Sequence, residues 1–381
     1  MKKKLFQYSL CILAFSLSFS EDWSSKALIL TSVLGLFNIE LNNKSLKTPF
    51  FKLTVSLLLY VLFNMAFIAQ DWDGHIYILL GLLLLFFFLW NYTKIDEKTY
   101  KIIPLAFSFG VFIVGTINMF SFILSSGAQK FDQLFNSWHT YAVIDIHKIY
   151  YALFLCLSYV FIIDYFNNKK EKYKYLYISL SVGFCSIMLY YTGSMNGFLL
   201  FFISHLFLIL YYFKSNIKSI LSTGILIMPF ILMFLLAMPK VQEAFSKIDG
   251  EGSRMRNYNI NKELFMDAPI FGYGIGKEIK IMQAKRNPRS WEYKNKYNAH
   301  NQYFEYLIGG GVILIVIILS LLFLLIFQSI PNKFNFTSLC FCAFVLYSFL
   351  IESILRRHHG IFFFTFFLVY FLFGFRRVNV K

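Results

Sequence analysis

The passage Tyr297-Asn298-Ala299-His300-Asn301-Gln302 sets one imidazole among amides, at the end of a long basic loop and just before an apolar helix opened by Gly309-Gly310-Gly311. An imidazole that titrates near neutrality is suited to general-base work on a hydroxyl. The competing reading of His300 is a helix-capping or interfacial histidine. The loop itself, residues 239–302, holds twelve Lys and Arg against seven Asp and Glu. Arg254 and Arg256 lie two apart, roughly 200° around a regular helix, so only one can face a given site. A second cationic group is the turn Glu352-Ser353-Ile354-Leu355-Arg356-Arg357-His358-His359-Gly360. Guanidinium grips phosphate oxygens in a bidentate fork and keeps its charge when partly desolvated, so both groups suit an anion. Beside a bilayer the natural anion is a lipid-linked phosphate or diphosphate; the plainer reading is arginines snorkelling to headgroups.

Other candidates weigh less. Gly272-Tyr273-Gly274-Ile275-Gly276-Lys277 lacks the glycine at 277, the preceding strand and the following acid of a dinucleotide site, so it reads as a tight turn that lets backbone approach closely. His205 lies mid-span and reads as a packed helix residue, while His75, His139 and His147 fall at outer helix ends. His358 and His359 adjoin two arginines, whose charge opposes their protonation. The five cysteines, Cys11, Cys156, Cys185, Cys340 and Cys342, all fall in apolar runs without metal-ligand spacing and read as small apolar filler. No metal or cofactor is expected.

The elements that must carry these residues are hydrophobic. Of 381 residues 58% are hydrophobic, against about 45–50% in soluble domains, and the excess comes in runs able to cross about 30 Å of hydrocarbon. The runs are too continuous for barrel strands, which leaves helices. Twelve spans are expected, near 5–20, 26–41, 50–69, 75–92, 101–126, 148–166, 174–191, 197–213, 217–238, 303–328, 336–352 and 360–375. The first, after Met1-Lys2-Lys3-Lys4, also fits a secretory signal, but Ser18-Phe19-Ser20 is a poor cleavage site. Loops 21–25, 70–74 and 192–196 carry no Lys or Arg, whereas the alternate segments hold clusters such as Lys44, Lys47, Lys52 and Lys169, Lys170, Lys172, Lys174. By the positive-inside rule both termini are cytoplasmic.

The expected class is therefore an all-α polytopic membrane protein of about twelve transmembrane helices. Residues 1–238 form spans one to nine, 239–302 a large, partly helical outer loop, and 303–381 spans ten to twelve. Within the loop a helix is expected from Arg254 to Met266, ended by Asp267-Ala268-Pro269. The net charge of +16 is scattered over loops and does not form one soluble face, which argues against nucleic-acid binding.

From 253 to 312 the chain resembles the O-antigen ligase and O-antigen polymerase family of bacterial envelope glycosyltransferases. The shared pattern is Ser253-Arg254 with Tyr258; Asp267, Pro269, Gly272, Gly274 and Gly276; then Ala299-His300-Asn301 with Tyr303 and Gly309 to Gly311. The ending Glu352-Ser353, Arg357 and Gly360 to Phe363 is similar to a version found in part of that family. The resemblance implies an inverting, metal-independent glycosyltransferase of the bacterial inner membrane, its site on the outer face. It would move a glycan from a polyprenyl-diphosphate carrier to a hydroxyl of a glycan or lipid acceptor, as ligase or as polymerase. It casts His300 as base and Arg254, ahead of Arg256, as the cation on the leaving diphosphate. Arg356 and Arg357 would take the other phosphate, with Asn301 and Glu352 as further substrate contacts. The chain departs from the family pattern in Thr192-Gly193-Ser194-Met195-Asn196, where Met195 stands in place of an arginine. A non-enzymatic flippase for lipid-linked sugars would need charged spans or repeated halves with broken helices, and neither is visible in the sequence. Alkaline phosphatase fused after Trp72 is expected to be active and after Asp96 inactive; the reverse pattern would overturn the orientation.

Overall fold

Hydrocarbon offers a backbone no hydrogen-bond partner but itself, and the computed structural model is helical wherever it is regular. It describes residues 2–39, 47–70, 74–92, 95–126, 134–167, 173–212, 235, 238, 253–329 and 336–378, and no strand occurs among them. Pro49–Ala69, Glu97–Ser125, Lys148–Phe166 and Gln302–Ser329 are long and apolar enough to cross a membrane. Ile78–Trp90, Leu176–Thr192, Met195–Leu208, Phe336–Ile351 and His358–Leu372 are shorter apolar helices. The expected span 217–238 falls almost wholly outside the described residues, as do residues 239–252 of the loop.

The chain divides into two compact units. The first comprises Met1–Asn38, Ile95–Ser246 and Phe334–Phe344. Its helices are α1 (Lys2–Ser16), α2 (Glu21–Leu36), α5 (Glu97–Ser126), α6 (Trp138–Tyr141), α7 (Lys148–Asn167), α8 (Lys174–Thr192) and α9 (Met195–Tyr212). Helix α2 starts five residues before its apolar run, because Glu21 and Asp22 in its first turn complement the positive end of the helix dipole. Helix α7 is buried on every side from Tyr150 to Ile163 and packs against α5, α8 and α9, which explains why its sequence has no polar face. Buried Asn118 holds the incoming chain: its Oδ1 accepts from the N–H groups of Val143 and Ile144, each at 3.0 Å, and its Nδ2 donates to the Ile144 carbonyl. His205 is a packed helix residue, 2.9 Å from the Tyr159 hydroxyl through Nε2 and 2.8 Å from the Phe201 carbonyl through Nδ1.

The second unit comprises Ile39–Lys94, Lys247–Lys333 and Val345–Lys381. It contains α3 (Pro49–Phe63), continued by a π-helical turn over Asn64–Ala69, and α4 (Gly74–Tyr92). Loop helices α10 (Ser253–Asp267), α11 (Glu278–Lys285) and α12 (Trp291–Lys294) follow, then α13 (Gln302–Ser329). The end of α14 (Phe336–Ile351), a 3-10 turn over Ile354–Arg356 and α15 (His358–Val378) complete it. Helix α13 packs against α3, α10 and α15, and α4 packs against α15. The helix at the end of the basic loop thus opens at Gln302, and Gly309-Gly310-Gly311 lie inside it, at a break where Gly311 has φ 64° and ψ −167°.

That break frees backbone groups, and the glycine turn of the loop meets them. Tyr273 N–H donates to the Ile308 carbonyl at 2.7 Å and Gly274 N–H to that of Gly309 at 2.9 Å. The Tyr60 hydroxyl donates to the Gly310 carbonyl, and Val312 N–H donates to Pro269 at 2.9 Å. Asn64, in the π turn, fastens the same segment by donating to the Phe271 carbonyl and accepting from Ile275 N–H. Such close approach needs the missing Cβ atoms: one on Gly311 would lie 2.1 Å from the Ile270 carbonyl oxygen, and one on Gly274 2.5 Å from the Ala69 Cα. Gly272, Gly274 and Gly276 all have positive φ, as a tight turn requires. Gly311→Ala is expected to cost at least about 2 kcal/mol, from left-handed strain and backbone overlap. A thermal-unfolding scan in detergent should show a clear drop for it. Gly81→Ala, where nothing lies within 4 Å, should be neutral or stabilising.

Candidate functional site

Three consecutive carbonyls hold His300 in place. Asn257 and Asn261 lie four apart on α10, hence on one face. Asn257 Nδ2 donates to the Asn298 and Ala299 carbonyls, each at 2.9 Å, and Asn261 Nδ2 to Ala299 at 3.2 Å. Buried Arg286, just past α11, donates to the Tyr297 carbonyl and to Asn257 Oδ1. Burial pushes the Arg286 guanidinium below its usual pKa, with Glu292 and Tyr297 acting in the opposite direction; it stays charged at neutral pH. His300 itself takes a left-handed conformation, φ 46°, with its N–H on Asn298 Oδ1 at 3.0 Å. That conformation costs a β-carbon residue about 1 kcal/mol or more, so this network is what sustains it.

Asn301 then caps α13, its Oδ1 accepting from Phe304 N–H at 3.0 Å, while its Nδ2 donates to the Leu350 carbonyl of α14. Gln302 and Glu305 tie the start of α13 to the turn after α14. Gln302 Oε1 accepts from Leu355 N–H at 2.7 Å. Fully buried Glu305 accepts from the Ser353 hydroxyl at 2.7 Å and pairs with Arg356. The turn so fixed brings Glu352 to His300, Oε2 lying 3.0 Å from Nδ1. The His300 and Glu352 side chains are 22% and 10% exposed, so the pair is shielded but reachable. The Tyr297 ring lies over the imidazole at 3.9 Å between centroids. Beside them opens a cleft of about 200 Å³ lined by Asn257, Tyr258, Asn261, Ala299, His300, Asn301, Phe304, Leu350 and Ile351.

Of the residues singled out by sequence, His300 and Asn301 line this cleft, and Glu352 stands behind it through its contact with His300. Arg256 turns away from it to Glu292, a buried carboxylate 2.8 Å away. Burial pushes the Glu292 pKa up, but its own backbone N–H, Arg256 and Ser290 outweigh that and hold it below the ordinary carboxylate range. Arg356 is taken up by Glu305. The Arg357 side chain is exposed and makes no hydrogen bond or ion pair among the described residues, while its carbonyl accepts from Ile361 N–H at 3.0 Å. Arg254 lies in the first turn of α10, and its side chain lies outside the described residues. Gly272, Gly274 and Gly276 form the turn that docks on α13. Sequence reasoning missed Asn257, Asn261 and Arg286; the only signal was the four-residue spacing of two asparagines on one polar helix.

With a hydrogen-bonded histidine–carboxylate pair beside a cleft lined by both amides and apolar side chains, the site can take a proton from a bound hydroxyl and hold the resulting positive charge. Residues 180–319 match a family model described as O-Antigen ligase. No curated protein matches the chain in sequence. The matched segment contains Arg254, the glycine turn and His300, whereas Glu352, Arg356 and Arg357 lie beyond it.

Arg256→Ala is expected to cost about 1–3 kcal/mol by stranding Glu292. Because the folded state holds the Glu292 carboxylate below its unfolded value of about 4.3, the stability it contributes is complete above that value and is lost as pH falls through the folded one. The difference in unfolding temperature between variant and wild type should therefore be full at neutral pH and shrink in acid; equal temperatures at neutral pH would refute the pairing.

Proposed function

From the O-antigen ligase match over residues 180–319 and the His300–Glu352 pair, we propose a membrane glycosyltransferase of surface-polysaccharide assembly. It takes a glycan from a polyprenyl diphosphate and passes it to an acceptor hydroxyl, with ligase-type transfer as the first reading and polymerisation of lipid-linked repeat units as the second. The site faces the outer side of a bacterial inner membrane crossed by about twelve helices. Family membership is the coarse part of this reading; the residue roles rest on the geometry of the cleft.

Glu352 holds Nδ1 of the imidazole, which leaves Nε2 as the basic nitrogen. Nε2 takes the proton of the acceptor hydroxyl as its oxygen forms a bond to the anomeric carbon. The bond from that carbon to the phosphate oxygen breaks, and its electron pair leaves on the diphosphate. A single displacement of this kind inverts the anomeric centre. Glu352 offsets the imidazolium, and Arg254 with Arg357 offset charge on the leaving diphosphate, in the part that electrostatic stabilisation plays. Arg356 supports the site through Glu305 and is not assigned to phosphate. Broken membrane helices are also a mark of carriers, but the groups freed at Gly311 are met by the glycine turn and by Tyr60.

The observation that carries the reading is the carboxylate-held imidazole at the cleft. Replacing His300 by Ala should lower transfer by about a hundredfold or more, with expression in the membrane unchanged, and Glu352→Gln should give a smaller loss with an altered pH–rate profile. Surface glycan of normal amount and length in cells carrying His300→Ala would remove the assigned role. In a deletion strain, polymer stranded on its lipid carrier marks a ligase, and single repeats at the surface mark a polymerase.

A further inference from the structure

Trp291 is 59% exposed, although the short helix it opens is firmly mounted. Ser290 Oγ accepts from Tyr293 N–H at 3.1 Å, Asn295 Nδ2 donates to the Trp291 carbonyl at 2.9 Å, and Tyr297 N–H donates to the Glu292 carbonyl at 2.9 Å. Beneath it Glu292 is buried and paired with Arg256. A rigid mount that leaves a large indole in solvent has an unfavourable apolar surface to account for. Tyr293 is exposed beside it, as are Arg289, Lys294 and Lys296, while the neighbouring acid Glu292 is turned inward.

The indole also leads somewhere. Trp291 meets Tyr297 edge to face at 5.2 Å, and Tyr297 lies over His300 at 3.9 Å. Two ring contacts thus join an exposed aromatic plate to the base at the cleft. We propose that Trp291 is a stacking platform for a pyranose ring of the glycan acted on at His300, holding a neighbouring sugar of the same chain and not the reacting one. One face of a pyranose is a sheet of C–H groups that packs on an aromatic plane, while the flanking Arg289, Lys294 and Lys296 can donate to its hydroxyls or carboxylates. The proposal rests on the glycosyltransferase reading above for its ligand class. An indole near a bilayer has one competing use, anchoring at the headgroup level.

The test uses the full chain in nanodiscs of phosphatidylethanolamine and phosphatidylglycerol, labelled with fluorotryptophan, the Trp291 resonance being assigned by its absence in Trp291→Phe. The probe is the oligosaccharide freed by mild acid from the host's polyprenyl-linked glycan. A saturable shift of the Trp291 resonance is expected. Binding should weaken about tenfold or more in Trp291→Ala and stay within about threefold in Trp291→Tyr, and a saturable shift should persist in His300→Ala. No shift with oligosaccharide, or a shift that follows only the phosphatidylglycerol fraction, overturns the platform and assigns the indole to the membrane interface. Saturable binding together with full transfer activity in His300→Ala upholds the platform while defeating the catalytic reading. Loss of transfer in that variant with no oligosaccharide shift does the reverse.

Discussion

A helix that breaks where water is scarce must find partners for the groups it releases, and the rest of the second unit follows from how this is done at Gly311. The carbonyls of residues 308 to 310 and the N–H of Val312 are met by the segment from Pro269 to Gly274 and by Tyr60. The long loop is thereby fastened to α13 at one point, and Asn64 fastens it again to the π turn. With its C-terminal end held there, α10 lies along α13 and presents Asn257 and Asn261 to the carbonyls that precede His300. The glycines act at a distance from the chemistry by fixing the helix that fixes the base.

Charge in the loop and in the turn after α14 divides into two kinds of work. Arg256, Arg286 and Arg356 each meet a buried protein acceptor, Glu292, Asn257 with the Tyr297 carbonyl, and Glu305 respectively. Removing any one would leave a buried polar group unsatisfied, which is costly in a shielded setting. Arg357 differs in being exposed beside the same turn. A surplus of positive charge over this loop is therefore partly structural, and a tally of arginines overstates the cations open to a phosphate.

The turn from Glu352 to Arg357 shows how a short polar passage between two apolar helices is held. Ser353 and Arg356 both bind Glu305, Leu355 binds Gln302, and Glu352 reaches His300, so that the start of α13 and the end of α14 share one hydrogen-bonded network. Such networks are worth most when every member is satisfied. Here it delivers a carboxylate to an imidazole fifty-two residues earlier in the chain.

The sequence by itself determined the helical membrane class, the loop helix expected from Arg254 to Met266 and found from Ser253 to Asp267, and the tight glycine turn, because apolar run length, proline and glycine act locally. It also singled out His300, since a lone imidazole among amides stands out against hydrocarbon. Tertiary structure alone decided that Gly309 to Gly311 form a break inside a helix and not its start, that Arg256 and Arg356 serve the fold, and that Glu352 is the partner of His300. Each of these depends on contacts between segments far apart in the chain, and side-chain spacing along one segment carries no information about what another segment places opposite it.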